Sequence, residues 1–226
     1  MPGRGLRARV DLAPAANEVR PVVVKLGGSV VRSPELSAWL DAIAASPLPM
    51  IVVPGGGTLA NEVRACQSEL GFGDRSAHRM ALLAMDQLAW AVAGLRPGFA
   101  VGATETELNE ALEQRSIAVW APYALIAELS DIEASWRLTS DSLALWLAAR
   151  IGAARCYLIK SIIRPKASRL SAAQLALDGI VDAAFPGTLK DTGVRTVLLG
   201  RGEQEAFAAS LVMTGKKPES CGAEID

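Results

Sequence analysis

The sequence predicts an α/β fold, a single-domain sandwich in which a mainly parallel central sheet is flanked by helices. Short apolar runs rich in β-branched residues alternate along the chain with longer amphipathic stretches. Two of those runs end in glycine clusters that turn the chain sharply, as a strand-to-helix connection requires. Size agrees with one core, since half of the 226 residues are hydrophobic. Residues 1–19 and 214–226 mix Pro, Gly, Ala and charges without helical or strand period. They are read as flexible tails on a domain spanning 20–213.

The elements follow in order. Val22-Val23-Val24 before Lys25 is too short and too β-branched for a helix and suits a central strand buried on both faces. Leu26-Gly27-Gly28-Ser29 breaks it. After Ser33-Pro34, placed to cap and open a first turn, Leu36, Trp39, Leu40 and Ile43 recur at helical spacing. Met50-Ile51-Val52-Val53 repeats the strand, Pro54-Gly55-Gly56-Gly57 repeats the turn, and a helix is expected over 61–70. Over 78–92 one apolar stripe is formed by Met80, Ala84, Leu88 and Ala91 and a second by Leu82, Met85, Ala89 and Val92, so this helix needs cover on both sides. A weaker strand is expected over 117–120, and Thr139-Ser140-Asp141-Ser142 caps an apolar helix ending near Gly152. Cys156-Tyr157-Leu158-Ile159 reads as a strand, 171–177 as a short helix, 180–185 as a loop or short strand, and Thr196-Val197-Leu198-Leu199 as a last strand before Gly200.

Composition excludes several functions. A formal net charge of −1 offers no basic excess for nucleic acid. Cys66, Cys156, Cys221 and the single His78 provide neither a disulfide framework nor a four-ligand zinc set, so no metal site built by the chain is expected. The free thiols fit a reducing, cytoplasmic compartment. Asp11, Pro14, Asn17 and Glu18 interrupt any secretory apolar region after Arg4, Arg7 and Arg9. No run approaches the ~18 uncharged apolar residues of a membrane span.

Chemistry concentrates at the two glycine clusters. In a parallel sheet both open on the carboxyl edge, where ligands bind, and glycine lets backbone N–H groups approach an anion at the start of a helix. Lys25 ends an apolar strand, where burying an ammonium costs several kcal/mol unless something negative meets it. Neither cluster matches GxxxxGK[ST] or GxGxxG.

The combination Val24-Lys25-Leu26-Gly27-Gly28-Ser29, Pro54-Gly55-Gly56-Gly57 and Thr139-Ser140-Asp141 resembles the amino-acid kinase family over about residues 20–200. The resemblance implies an ATP-dependent phosphotransferase, with Mg2+ arriving on the nucleotide. It makes Lys25 and Asp141 catalytic and assigns Gly27, Gly28, Ser29 and Lys160 to the donor nucleotide. Gly55, Gly56, Gly57, Thr139 and Ser140 then face the acceptor, a small molecule bearing a phosphate or carboxylate. The stretches 78–87 and 136–144 are most similar to aminomethylfuran phosphate kinases of methanofuran biosynthesis. The sequence also departs from the family pattern. Lys160-Ser161-Ile162-Ile163-Arg164 stands where an acidic Thr-Asp-Val-Asp-Gly-like turn is usual, and 180–184 offers Asp182 but no second lysine. Lys160 is expected to reach the phosphates in its place, the other reading being a basic flap with Arg164, Lys166 and Arg169. The alternative from another class is a non-catalytic ligand-binding or partner subunit. His78 is read as structural, and the doubly apolar helix over 78–92 as part of a homo-oligomer contact.

Overall fold

The computed structural model describes residues 19–212 and 221–226. Its centre is β1 (Val22–Leu26), every residue of which is buried, Lys25 included. The strand is flanked in parallel by β2 (Met50–Pro54) and β5 (Arg155–Ile159), with Lys25 level with Val53 on one side and Leu158 on the other. Beyond β2 lie β4 (Ile117–Trp120) and then β3 (Phe99–Gly102). Beyond β5 lie β7 (Thr196–Leu199), β8 (Ala223–Ile225) and β6 (Arg169–Leu170). All pairings are parallel except β7 with β8.

The period of two divides the valines of β1 between two cores. Val23 joins Ile51, Leu158 and the helices α4 (Glu105–Glu113), α6 (Ser140–Arg150), α7 (Ala172–Leu177) and α8 (Phe185–Thr192). Val22 and Val24 join Val52 and the helices α1 (Leu36–Ala44) and α9 (Gln204–Val212) through Trp39, Leu40 and Phe207. Every residue of α6 from Ser140 to Ala148 is buried, which is why its sequence is apolar all round from Leu143 onward to Ala148.

Two further helices, α2 (Gly57–Leu70) and α3 (Asp74–Gly94), pack on each other, and α5 (Tyr123–Ile126) is a single turn. The second stripe on α3 is buried throughout, with Leu82 and Met85 in one core and Ala89 and Val92 in the other. The first stripe is not continuous. Ala84 is buried and Leu88 half-buried, but Met80 and Ala91 are exposed.

The segment 214–226 is not a tail throughout, because β8 lies within it, pairing with β7 and burying Ala223 and Ile225. Three residues are too few to show a period, so only the sheet beside them reveals the strand. The N-terminal tail, residue 19 apart, lies outside the described residues, as do 213–220. Ser33 sits in a turn before α1, its Oγ accepting from the Glu35 N–H at 3.3 Å, and does not cap the helix. The elements β3, α4, α5, β6, α8 and α9 have no counterpart among the elements the sequence predicts. No described helix is long and apolar enough to cross a membrane.

Candidate active site

Parallel pairing brings the carboxyl ends of β1, β2 and β5 to one edge, and three charged side chains meet there. Lys25 Nζ lies 2.6 Å from Asp141 Oδ1 as an ion pair, and Lys160 Nζ hydrogen bonds Asp141 Oδ2 at 2.7 Å. Lys25 and Asp141 are 3% and 4% exposed. Lys160 follows directly on β5, its backbone held by an N–H to Leu199 O bond of 3.0 Å. Burial alone would raise the Asp141 pKa, but the ammoniums of Lys160 and Lys25 outweigh it and hold the carboxyl at about 2. Burial, against the pull of Asp141, pushes Lys160 down to about 8. Two ammoniums thus share one carboxylate, and a buried positive charge is left over. Such an excess persists cheaply only where an anion is meant to complete the set.

The glycines shape the space in front of this triad. A Cβ on Gly28 would stand 2.5 Å from the Gly57 nitrogen and 2.6 Å from its Cα, and one on Gly55 would stand 2.8 Å from the Gly28 nitrogen. The two loops therefore lie backbone against backbone, and Gly57 adopts a φ of +54° at the start of α2. The Gly27 N–H is committed to Ile159 O at 2.9 Å, so this residue closes the loop onto β5 and has no amide to offer a phosphate. Ser29 Oγ meets Ser161 Oγ at 2.5 Å, tying the first loop to the segment after Lys160. Gly28→Ala is expected to cost about 1–3 kcal/mol of stability, because the colliding atoms are backbone and cannot rotate away. A thermal melt showing no loss would mean that the two loops can part.

Asp182 was not anticipated as part of this arrangement. Its Oδ2 accepts from the Thr139 N–H at 3.0 Å, the Thr139 Oγ1–H at 2.9 Å and the Ser142 N–H at 3.0 Å, while Oδ1 accepts from Ser142 Oγ at 2.5 Å. The carboxylate thereby caps α6 from forty residues away and fixes the turn that carries Asp141. Thr139 is the N-cap residue, as its sequence position suggests, but its hydroxyl donates to Asp182 and caps nothing itself. Burial first, and then the Asp141 charge, raise the Asp182 pKa.

From the glycine loops a groove of about 530 Å³ runs between α2 and α3 beneath residues 135–143. Ser140 and Gly28 line its inner end, and Leu82, Met85 and Leu143 give it an apolar wall. Of the residues singled out from sequence, Gly55, Gly56, Gly57, Thr139 and Ser140 border this groove, as do Gly28 and Ser29, which the resemblance assigns to the donor, and Lys25, Asp141 and Lys160 lie together beside it. His78 also faces the groove, and burial lowers its pKa, leaving it neutral near pH 7. Arg164 does not join Lys160 in a free flap, because Glu203 holds it at 2.7 Å.

Comparison with known proteins agrees with this architecture. The model of the amino acid kinase family matches residues 20–162. A [5-(aminomethyl)furan-3-yl]methyl phosphate kinase from Methanocaldococcus jannaschii is 30% identical over 129 residues, 55% of this chain and 58% of that protein. The chain thus spans less than two thirds of the relative's length. Among solved structures, uridylate kinase from Archaeoglobus fulgidus superposes with a TM-score of 0.67 at 21% identity, over 91% of this chain and 99% of the other. UMP kinase from Bacillus anthracis gives 0.67 at 13% identity, over 92% and 96%. At these identities the likeness is one of fold.

Proposed function

The chain belongs to the amino acid kinase family, and we propose that within it the protein is an ATP-dependent phosphotransferase acting on a small acceptor that carries a phosphate or carboxylate. The observation that carries this reading is the buried Lys25–Asp141–Lys160 set, one positive charge in excess, beside two glycine loops packed backbone to backbone. An aminomethylfuran phosphate is the acceptor suggested by the relative and by the stretches 78–87 and 136–144.

The donor set fits the phosphate end of a nucleotide: two buried ammoniums on one carboxylate, at the end of the strand that runs into the first glycine loop. When bound, ATP supplies the phosphoryl group, its P–O bond to ADP breaking as an acceptor oxygen bonds the phosphorus, and Mg2+ accompanies it. Lys25 and Lys160 hold the transferred group and neutralise charge spread over its oxygens. Asp141 fixes the two ammoniums in place without competing for the phosphoryl group. A phosphate or carboxylate acceptor is already ionised at neutral pH, so no general base is required of the chain. The non-catalytic alternative rests on Lys160 standing where an acidic turn is usual and on the missing second lysine. Lys160 brings a second ammonium to the same carboxylate, which favours catalysis.

The purified protein incubated with Mg-ATP and a panel of phosphorylated furans, amino acids and isoprenoid phosphates is expected to form ADP with one acceptor class. Failure to bind ATP in calorimetry would leave the non-catalytic reading. Because Lys160 is pushed down to about 8, the site loses its excess positive charge as pH rises through that value. The KM for ATP is expected to increase between about pH 7 and about pH 9, and a Lys160→Met enzyme should lack that increase. An equal slope in both enzymes would remove Lys160 from the donor site.

The same reading includes a homodimer built on α3. Met80, Leu83 and Trp90 are exposed along that helix, Trp90 by 68%, and Leu59 and Leu70 are exposed on α2 beside it. Sedimentation at micromolar concentration should show twice the 23.7 kDa chain mass, and Trp90→Glu should shift it to the monomer. A monomeric parent removes the dimer.

A further inference from the structure

On the reading that the groove between α2 and α3 holds the acceptor, the order of charges along its walls describes that acceptor. The inner end is positive. Beyond buried Lys25, Arg32 reaches the start of α2 with Nη1 3.4 Å from Thr58 Oγ1. Arg64 stands seven residues from Gly57, about 10 Å further along the same helix, and its guanidinium lies 4.3 Å from the ring centroid of Trp136. Neither arginine meets a carboxylate among the described residues. Near the far end the sign reverses at Asp74, the first residue of α3.

Asp74 is held in place by a chain of hydrogen bonds. Trp136 Nε1–H donates to Gln67 Oε1 at 2.6 Å, and Gln67 Nε2 donates to Asp74 Oδ1 at 2.8 Å. The relay joins the segment over the groove to both helices below it and leaves Asp74, which is exposed, with its Oδ2 open to solvent and to a ligand in the groove, no protein partner meeting it among the described residues. His78, one turn along α3, is neutral near pH 7 and does not offset this charge.

We propose that the acceptor is zwitterionic and enters with its anionic end toward the glycine loops, that its small planar or apolar middle lies against Trp136, Leu82 and Met85, and that Asp74 receives an ammonium at its outer end. Asp74 is then a specificity-determining residue. An ammonium is a three-donor cation that matches an open carboxylate oxygen, whereas a second anionic group would be repelled there. The aminomethyl and phosphate substituents named in the Methanocaldococcus jannaschii relative's activity have this distribution of charge.

The test uses two phosphorylated ring compounds that differ only in an aminomethyl against a hydroxymethyl group, with the parent protein and Asp74→Asn. The parent is expected to favour the amine at least tenfold in kcat/KM, mainly through KM. The variant should narrow that ratio to within about twofold. Calorimetry with the same pair reads the preference without turnover. A clear preference for the amine in binding, with no transfer to any acceptor, would therefore overturn the phosphotransferase reading and leave the recognition intact. A parent that does not distinguish the two compounds, or binds neither, overturns the proposal. So does a variant that weakens both equally, which would reduce Asp74 to a structural tie between α2 and α3.

Discussion

Lys25→Met is expected to lower kcat/KM for phosphoryl transfer by about 100- to 1000-fold, while the melting temperature stays within a few degrees of the parent's. The rate effect follows from removing one of two fixed positive groups at a site where charge is spread over the oxygens of the transferred group. Deleting one preorganised donor in such a setting is worth about 2.7–4 kcal/mol of barrier. The small stability effect follows from the charge count. In the parent, Lys25 and Lys160 share Asp141 at 2.6 and 2.7 Å, so losing one ammonium leaves a balanced pair in place of an unbalanced triad. Methionine retains an unbranched stem to fill the space between Val53 and Leu158, the neighbours of Lys25 in the sheet. Turnover within about threefold of the parent, under ~1 kcal/mol, would take Lys25 out of the phosphoryl site.

That the triad could be approached from sequence at all reflects how few explanations a lysine has inside a run of valines. Its cost demanded an anion, and Asp141 opening an apolar helix was a candidate once the chain's resemblance placed the two together. The buried stripe of α3 was equally legible, since Leu82, Met85, Ala89 and Val92 keep helical spacing. Asp182 was not, because its cap on Thr139 and Ser142 spans 43 and 40 residues and no local pattern announces it. By contrast Ser171, whose Oγ accepts from the Gln174 N–H three residues on, caps α7 by a rule written in the sequence. The link from Trp136 to Gln67 crosses 69 residues, so the charge order of the groove appears only when α2, α3 and the segment above them are folded. The strand β8 fails for the opposite reason, being too short to carry any pattern.

Asp141→Asn should have the opposite balance of effects, losing about 3–5 kcal/mol of folding stability along with activity. For a single domain of ordinary stability, about 5–15 kcal/mol, that is about a fifth of the total or more. The cause is that Lys25 and Lys160 would stay buried near each other with only an amide between them, a uncompensated pair of like charges in place of an ion-paired set. The fold can relieve this by releasing a proton, so the Lys160 pKa should fall below its parent value of about 8. The sign of the pH effect follows. Between that lowered value and the ordinary lysine range the unfolded chain binds more protons than the folded one, so the variant's stability rises with pH across this window, and more steeply than the parent's. Adding Lys25→Met to Asp141→Asn removes one of the two opposed ammoniums and should recover part of the loss, a coupling visible in a double-mutant cycle. Urea unfolding of the four proteins at about pH 7 and about pH 9 measures all three terms. If Asp141→Asn unfolded within about 1 kcal/mol of the parent at both pH values, the carboxylate would not be what holds the two lysines in the fold.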